Sequence, residues 1–114
     1  HLLSRRQRQM CIRDRTQYID LHYNEDLSID NIAQHFNIST GYLSHYFKSH
    51  LNVTVKEYLI AVRLKKARQD VLFSNYTILE IAYLHGFPNL KSFINDFKKV
   101  YHDTPAKYRE KVRK

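Results

Sequence analysis

The chain has 114 residues, a formal net charge of +8 and a pI near 9.7. That length sets one domain, or two small subdomains sharing a core. With 2 Gly and 2 Pro, long loops and strand-rich sandwiches are disfavoured and an all-helical fold is expected. The single Cys11 excludes an internal disulfide and a multi-cysteine zinc site. No apolar run nears the ~18 residues of a membrane span, and residues 1–15 lack the apolar stretch of a signal peptide. The expected setting is a reducing cytoplasm. The basic balance points to an acidic partner, nucleic acid ahead of an anionic membrane surface.

Residues 1–15 differ in composition from the rest. They carry five Arg and no Lys against one acid, Asp14, and hold the only Cys and the only Met. The run from Arg8 to Arg15 resembles a translated sequencing adapter. A basic arm tracking a phosphate backbone is the alternative. The segment is expected to be non-native or a linker remnant, and disordered.

From Thr16 to about Asn24, Tyr18, Ile19, His22 and Tyr23 fall on helical spacing. Asn24-Glu25-Asp26 breaks it. Ser28 is a candidate N-cap for a helix with the stripe Ile29, Ile32, Ala33 and Phe36. Asn37 suits a turn in the left-handed region. Ser39 caps a third helix with Leu43, Phe47 and Leu51 inward, and Asn52 ends it. Residues from about Val55 to Phe73 form the longest periodic segment, apolar over a wide arc, and read as a connector touching two neighbours. Thr77, with Glu80 at the capping-box position, starts a helix carrying Ile78, Ile81, Ala82 and His85. Gly86 gives a tight turn anchored by Phe87. Leu90, Phe93, Phe97 and Tyr101 make the next inward stripe. Thr104-Pro105 starts a last helix with Tyr108. Lys111, Arg113 and Lys114 read as a charged end favourable to a helix C-terminus.

The chain also repeats itself. Ile32-Ala33 recurs as Ile81-Ala82 at an offset of 49. Leu43, Phe47, Lys48, Thr54 and Tyr58 recur as Phe93, Phe97, Lys98, Thr104 and Tyr108 at 50. Two copies are too few for a solenoid and suit a pseudo-symmetric domain. Each copy reads as helix, tight turn, helix, the arrangement that lays its second helix in a DNA major groove. The expected organisation is all-α, with about seven helices. It comprises a first helix-turn-helix subdomain at 16–54, a connector helix at 55–74 and a second helix-turn-helix subdomain at 75–114.

These residues resemble the DNA-binding domain of AraC-type transcription regulators over residues 16–114. The second copy carries the most specific part: Ile78-Leu79-Glu80-Ile81-Ala82, Gly86-Phe87, Phe93, Phe97-Lys98-Lys99, Thr104-Pro105 and Tyr108-Arg109. The first adds Leu27-Ser28, Ile32-Ala33, Tyr42-Leu43-Ser44, Phe47-Lys48, Tyr58-Leu59, Arg63 and Ala67. The family's usual Gly after each recognition helix is replaced by Asn52 and His102, residue types that tolerate the left-handed region. Gly41, Ser44 and His45 are smaller or weaker in bonding than their usual counterparts.

The resemblance implies base contacts from Thr40, Gly41, Ser44 and His45 in the first unit. In the second it implies Lys91, Ser92 and Asn95. Asn95 can pair bidentately with adenine, and Lys91 can donate to guanine acceptors. It assigns phosphate contacts to Ser39, Lys48, Asn89, Lys98 and Lys99. Against these stand plainer readings: His45 as a solvated histidine, Lys65-Lys66 as a solvated face, and the phenylalanine and tyrosine stripes as core and not stacking platforms.

No nucleophile–base–orienter set, glycine-rich phosphate loop or metal-ligand cluster is legible, so no enzyme, cofactor or metal is expected. The expected function is sequence-specific binding of double-stranded DNA by a bacterial transcription regulator, two helices entering successive major grooves. RNA polymerase is the further partner implied, with an effector or receiver domain upstream. The alternative is a helix-turn-helix module that binds protein and not DNA.

Overall fold

The computed structural model describes residues 12–113, which form seven helices and no strand. In chain order they are α1 (Ile12–His22), α2 (Ile29–His35), α3 (Thr40–Leu51), α4 (Val55–Phe73), α5 (Ile78–Leu84), α6 (Leu90–Tyr101) and α7 (Pro105–Val112). The all-α expectation holds, and each helix after α1 begins at a residue able to cap it.

Ser28, Ser39, Thr54, Thr77, Asn89 and Thr104 each accept a backbone N–H two or three residues into their helix. One such cap is worth about 1 kcal/mol. Thr54 and Thr77 form full capping boxes with Glu57 and Glu80. The Glu57 carboxyl is held below its usual value, first by the Thr54 backbone N–H and hydroxyl, and in smaller part by the charge of Lys48. Asn37, Asn52 and His102 adopt positive φ, and so does Gly86 at +84°. Asn52 and His102 thus end α3 and α6 in the left-handed conformation where glycine is commonest.

The buried side chains divide into two clusters. One gathers Ile19, Ile32, Ala33, Leu43, Phe47, Val55 and Leu59. The other gathers Leu64, Ala67, Val71, Ile81, Ala82, Phe87, Phe93 and Phe97. The change of cluster falls within α4, between Leu59 and Leu64. The long helix is apolar over a wide arc because its first half serves one core and its second half the other.

The repeat runs deeper than the matched sequence pairs. Arg63 on α4 donates from Nε to the Tyr23 carbonyl at 2.7 Å and from Nη2 to the Glu25 carbonyl at 2.8 Å. Fifty residues on, Arg113 donates to the carbonyls of Leu72 and Ser74. Each arginine thus donates to carbonyls at or just past the C-terminal end of the helix that opens its unit. The tyrosines repeat likewise: Tyr58 donates to Asp20 Oδ1 at 3.0 Å, and Tyr108 accepts from Arg68 Nε at 2.9 Å. α4 is therefore more than a connector. It closes the first unit, as α7 closes the second, and it opens the second unit, as α1 opens the first.

One expectation needs correction. Residues 12–15 of the segment expected to be disordered are the first turn of α1. Arg15 is 1% exposed, with its guanidinium over the rings of Phe36 and Tyr46 at 4.9 and 5.1 Å. An arginine can bury its stem and lay its planar head on aromatic faces, so arginine richness did not mark the end of the fold. The remainder of that segment, residues 1–11, lies outside the described residues. The basic C-terminal end stands where expected, in the last turn and C-cap of α7, and its side chains also reach partners. Arg109 bonds the carbonyls of Val71, Tyr76 and Asp70, Arg113 those named above, and Lys111 pairs with Asp103 at 2.7 Å. Lys114 lies outside the described residues.

Candidate nucleic-acid interface

α3 and α6 are both 12 residues long, and each is pinned by two buried side chains four apart. Leu43 and Phe47 hold α3; Phe93 and Phe97 hold α6; all four are fully buried. Helical geometry turns the face opposite them outward. On α3 the exposed residues include Thr40, Gly41, Ser44, His45 and Lys48. On α6 they are Lys91, Asn95, Lys98, Lys99 and Val100. The residues expected at base edges thus share the outward faces of two equivalent helices, with one exception.

The exception is Ser92. It is half-buried, and with Asp96 it lines a groove of about 490 Å³ between the two units. Leu27, Ile29, Ile60 and Phe87 form part of the same walls. Ser92 therefore sits at the edge of the outward face, on the groove side of Asn95.

The first-turn residues combine two roles. Ser39 Oγ accepts the Tyr42 N–H at 3.1 Å, and Asn89 Oδ1 accepts the Ser92 N–H at 2.8 Å. Capping fixes the orientation of the Asn89 amide and leaves its Nδ2 to donate outward. Each capped terminus still presents first-turn N–H groups and the positive end of a helix dipole, which favour an anion. The lysines are less alike. Lys48 Nζ donates to the Asn52 carbonyl at 3.3 Å, whereas Lys98 and Lys99 extend into solvent.

Gly41 leaves a notch in α3, since a Cβ there would meet no atom within 4 Å. Beside the notch, Tyr42, Tyr46 and His50 stack in turn, at 5.9 and 4.1 Å between centroids. That ladder, with Arg15 over Tyr46, braces the flank of α3 against α1. The tyrosines that flank α6 are core-side: Tyr101 and Tyr108 pack edge-on or tilted against Phe97.

Periodicity missed the residues that fix how these helices are held. Arg63 and His85 are each only 8% exposed. His85 lies within hydrogen-bonding distance of both Tyr23 and Asp70, at 3.0 and 2.6 Å. Burial, and secondarily the Asp70 charge, pushes the Tyr23 phenol above its usual pKa, so it remains a donor at neutral pH. A histidine ending an apolar stripe was the one available signal.

A pair of capped, equivalently pinned helices, each preceded by a short helix and a tight turn, defines a double helix-turn-helix protein. Residues 32–111 match the family model described as a helix-turn-helix domain, and the chain belongs to the AraC-type family of transcription-regulator domains. It is 36% identical over 92 residues to an uncharacterized HTH-type transcriptional regulator of Staphylococcus aureus (strain MSSA476), covering 81% of this chain. The chain spans only 12% of the length of that relative. A probable transcription factor PqrA of Proteus vulgaris is 37% identical over 90 residues, 79% of this chain and 74% of the relative. The C-terminal domain of AraT, a response regulator from Geobacillus stearothermophilus, superposes with a TM-score of 0.83 at 32% identity. That superposition covers 87% of this chain and 83% of the AraT domain. The family is one of transcription-regulator domains and not a class of enzymes. No helix among the described residues is long and apolar enough to cross a membrane.

Proposed function

We propose that this chain binds double-stranded DNA sequence-specifically, placing α3 and α6 in successive major grooves on one side of the duplex. The observation that carries this is the equivalence of the two helices: same length, same buried register, same kind of cap, each with polar or basic side chains opposite its core. A major groove about 12 Å wide admits one such helix. Two held roughly one turn, ~34 Å, apart would enter adjacent grooves.

In this reading Thr40, Ser44, His45, Lys91, Ser92 and Asn95 meet base edges, with Gly41 admitting close approach of the α3 backbone. Asn95 discriminates most, through a bidentate pair with adenine. Ser39, Lys48, Asn89, Lys98 and Lys99 meet phosphates and set the register. The setting is the cytoplasm of a bacterium, and the regulatory output passes through contact with RNA polymerase. An effector or receiver domain upstream supplies the signal. Its support is that the chain spans a small part of its S. aureus relative and that the AraT domain is the C-terminal piece of a response regulator.

A selection on random duplex DNA at near-physiological salt tests the proposal. The expected result is an enriched motif of two halves about one turn apart, with affinity falling steeply as salt rises and counterions are released. No enrichment, or salt-insensitive association, favours the protein-binding alternative.

A further inference from the structure

The two units have separate cores and share one helix. Elsewhere they face each other across the groove of about 490 Å³ that Ser92 and Phe87 line. A helix shared between two cores does not by itself fix the rotation of one unit against the other. A second point of attachment is needed, and the structure contains one.

The C-terminal end of α1 meets the turn between α5 and α6. Tyr23 Oη lies 3.0 Å from His85 Nδ1, joining residues 62 apart in the chain, one before α4 and one after it. The two rings stack at 5.8 Å with 15° between their planes. On its other side His85 Nε2 lies 2.6 Å from Asp70 Oδ2 on α4. A neutral imidazole protonated on Nε2 completes both bonds, donating to Asp70 and accepting the Tyr23 hydroxyl. Beside them the backbones nearly touch. A Cβ on Gly86 would lie 2.9 Å from both Asn24 Cα and the Tyr23 carbonyl oxygen. Arg63 then ties that same Tyr23 carbonyl to α4. The first unit, the shared helix and the second unit are thus bonded together at one partly buried corner.

We propose that the Tyr23–His85–Asp70 bridge at the Gly86 corner sets the separation and rotation of the two recognition helices, and so selects the operator spacing the protein accepts. The inference rests on the two-helix reading above. It assigns spacing to a corner of residues that touch no DNA and leaves base preference to the outward faces of α3 and α6. Tyr23 and His85 are positioning residues in this scheme.

The test is the affinity of the full chain for its selected operator and for versions with one base pair added or removed between the halves. The proteins are the parent, Tyr23→Phe, His85→Phe and, as a control, Tyr83→Phe, which removes a hydroxyl from an exposed ring on α5. Loss of the bridge, one hydrogen bond in Tyr23→Phe and two in His85→Phe, should lower discrimination against the altered spacings by about 2- to 10-fold in the first variant and at least as much in the second. Base preference within each half should stay unchanged, and Tyr83→Phe should keep the parent profile.

Spacing profiles as sharp as the parent's in both variants would overturn the inference alone. So would a changed base preference within a half, or a Tyr23→Phe protein that fails to melt cooperatively, since the bond would then serve folding and not spacing. A parent that enriches no paired motif would overturn the two-helix reading, and this inference with it.

Discussion

The two units share a plan and differ in what they place on it. The first is pinned by Leu43 and Phe47, the second by Phe93 and Phe97. In the second, Phe87, Tyr101 and Tyr108 extend this into a continuous aromatic cluster. The outward faces differ more. α3 shows Gly41, Ser44 and His45, with its one lysine engaged by the Asn52 carbonyl. α6 shows Lys91, Asn95, Lys98 and Lys99, extended into solvent. A duplicated scaffold fixes where side chains are presented, while the outward residues, which carry no packing duty, vary freely. Under the proposed reading, the second unit holds both the stronger base-reading group, Asn95, and more of the positive charge.

The largest effect expected is on the separation of the cores. Phe97→Asp places an unpaired charge in the second cluster and should cost about 4 kcal/mol or more. Hydrogen exchange should show α5–α7 losing protection while α2 and α3 keep most of theirs; uniform loss would mean that the cores fold as one. Next comes the asymmetry in base reading. Asn95→Ala should cost ~1–3 kcal/mol against the preferred operator and relax one or two positions. His45→Ala should cost less, and a selected motif unchanged by Asn95→Ala would refute that placement. Capping should be nearly symmetric: Asn89→Ala and Ser39→Ala should each lose about 1 kcal/mol in denaturant unfolding. A markedly larger loss at one site would show that its cap serves more than the helix end.

The smallest expected difference is in the lysines. Lys98→Ala should weaken binding to all sequences alike and lower the salt slope by about one. Lys48→Ala should lower it less, because the Asn52 carbonyl and the Glu57 carboxylate already draw on that charge. Equal slopes for the two variants would remove the asymmetry.

Much of this architecture was legible in the sequence because it is written locally. Cap residues, stripes at three and four, and left-handed Asn and His act within a turn or two of where they stand. Those features placed α2 to α7 and the outward faces. The long-range bonds were not legible. Arg63 reaches carbonyls about 40 residues away, Arg109 and Arg113 about as far, and Tyr23 meets His85 across the whole of α4. No periodicity encodes a side chain reaching a distant carbonyl. Arg15 shows the same limit from the other side. Its composition-based reading failed because aromatic faces folded over it from α2 and α3.

The central claim is that α3 and α6 read one duplex together. The most direct test is the affinity of the parent chain for its selected operator when one half is moved by half a helical turn, about 5 bp. The account predicts that this rotation carries one half to the opposite side of the duplex and reduces binding to that of a single half. Undiminished affinity for the rotated operator would contradict it.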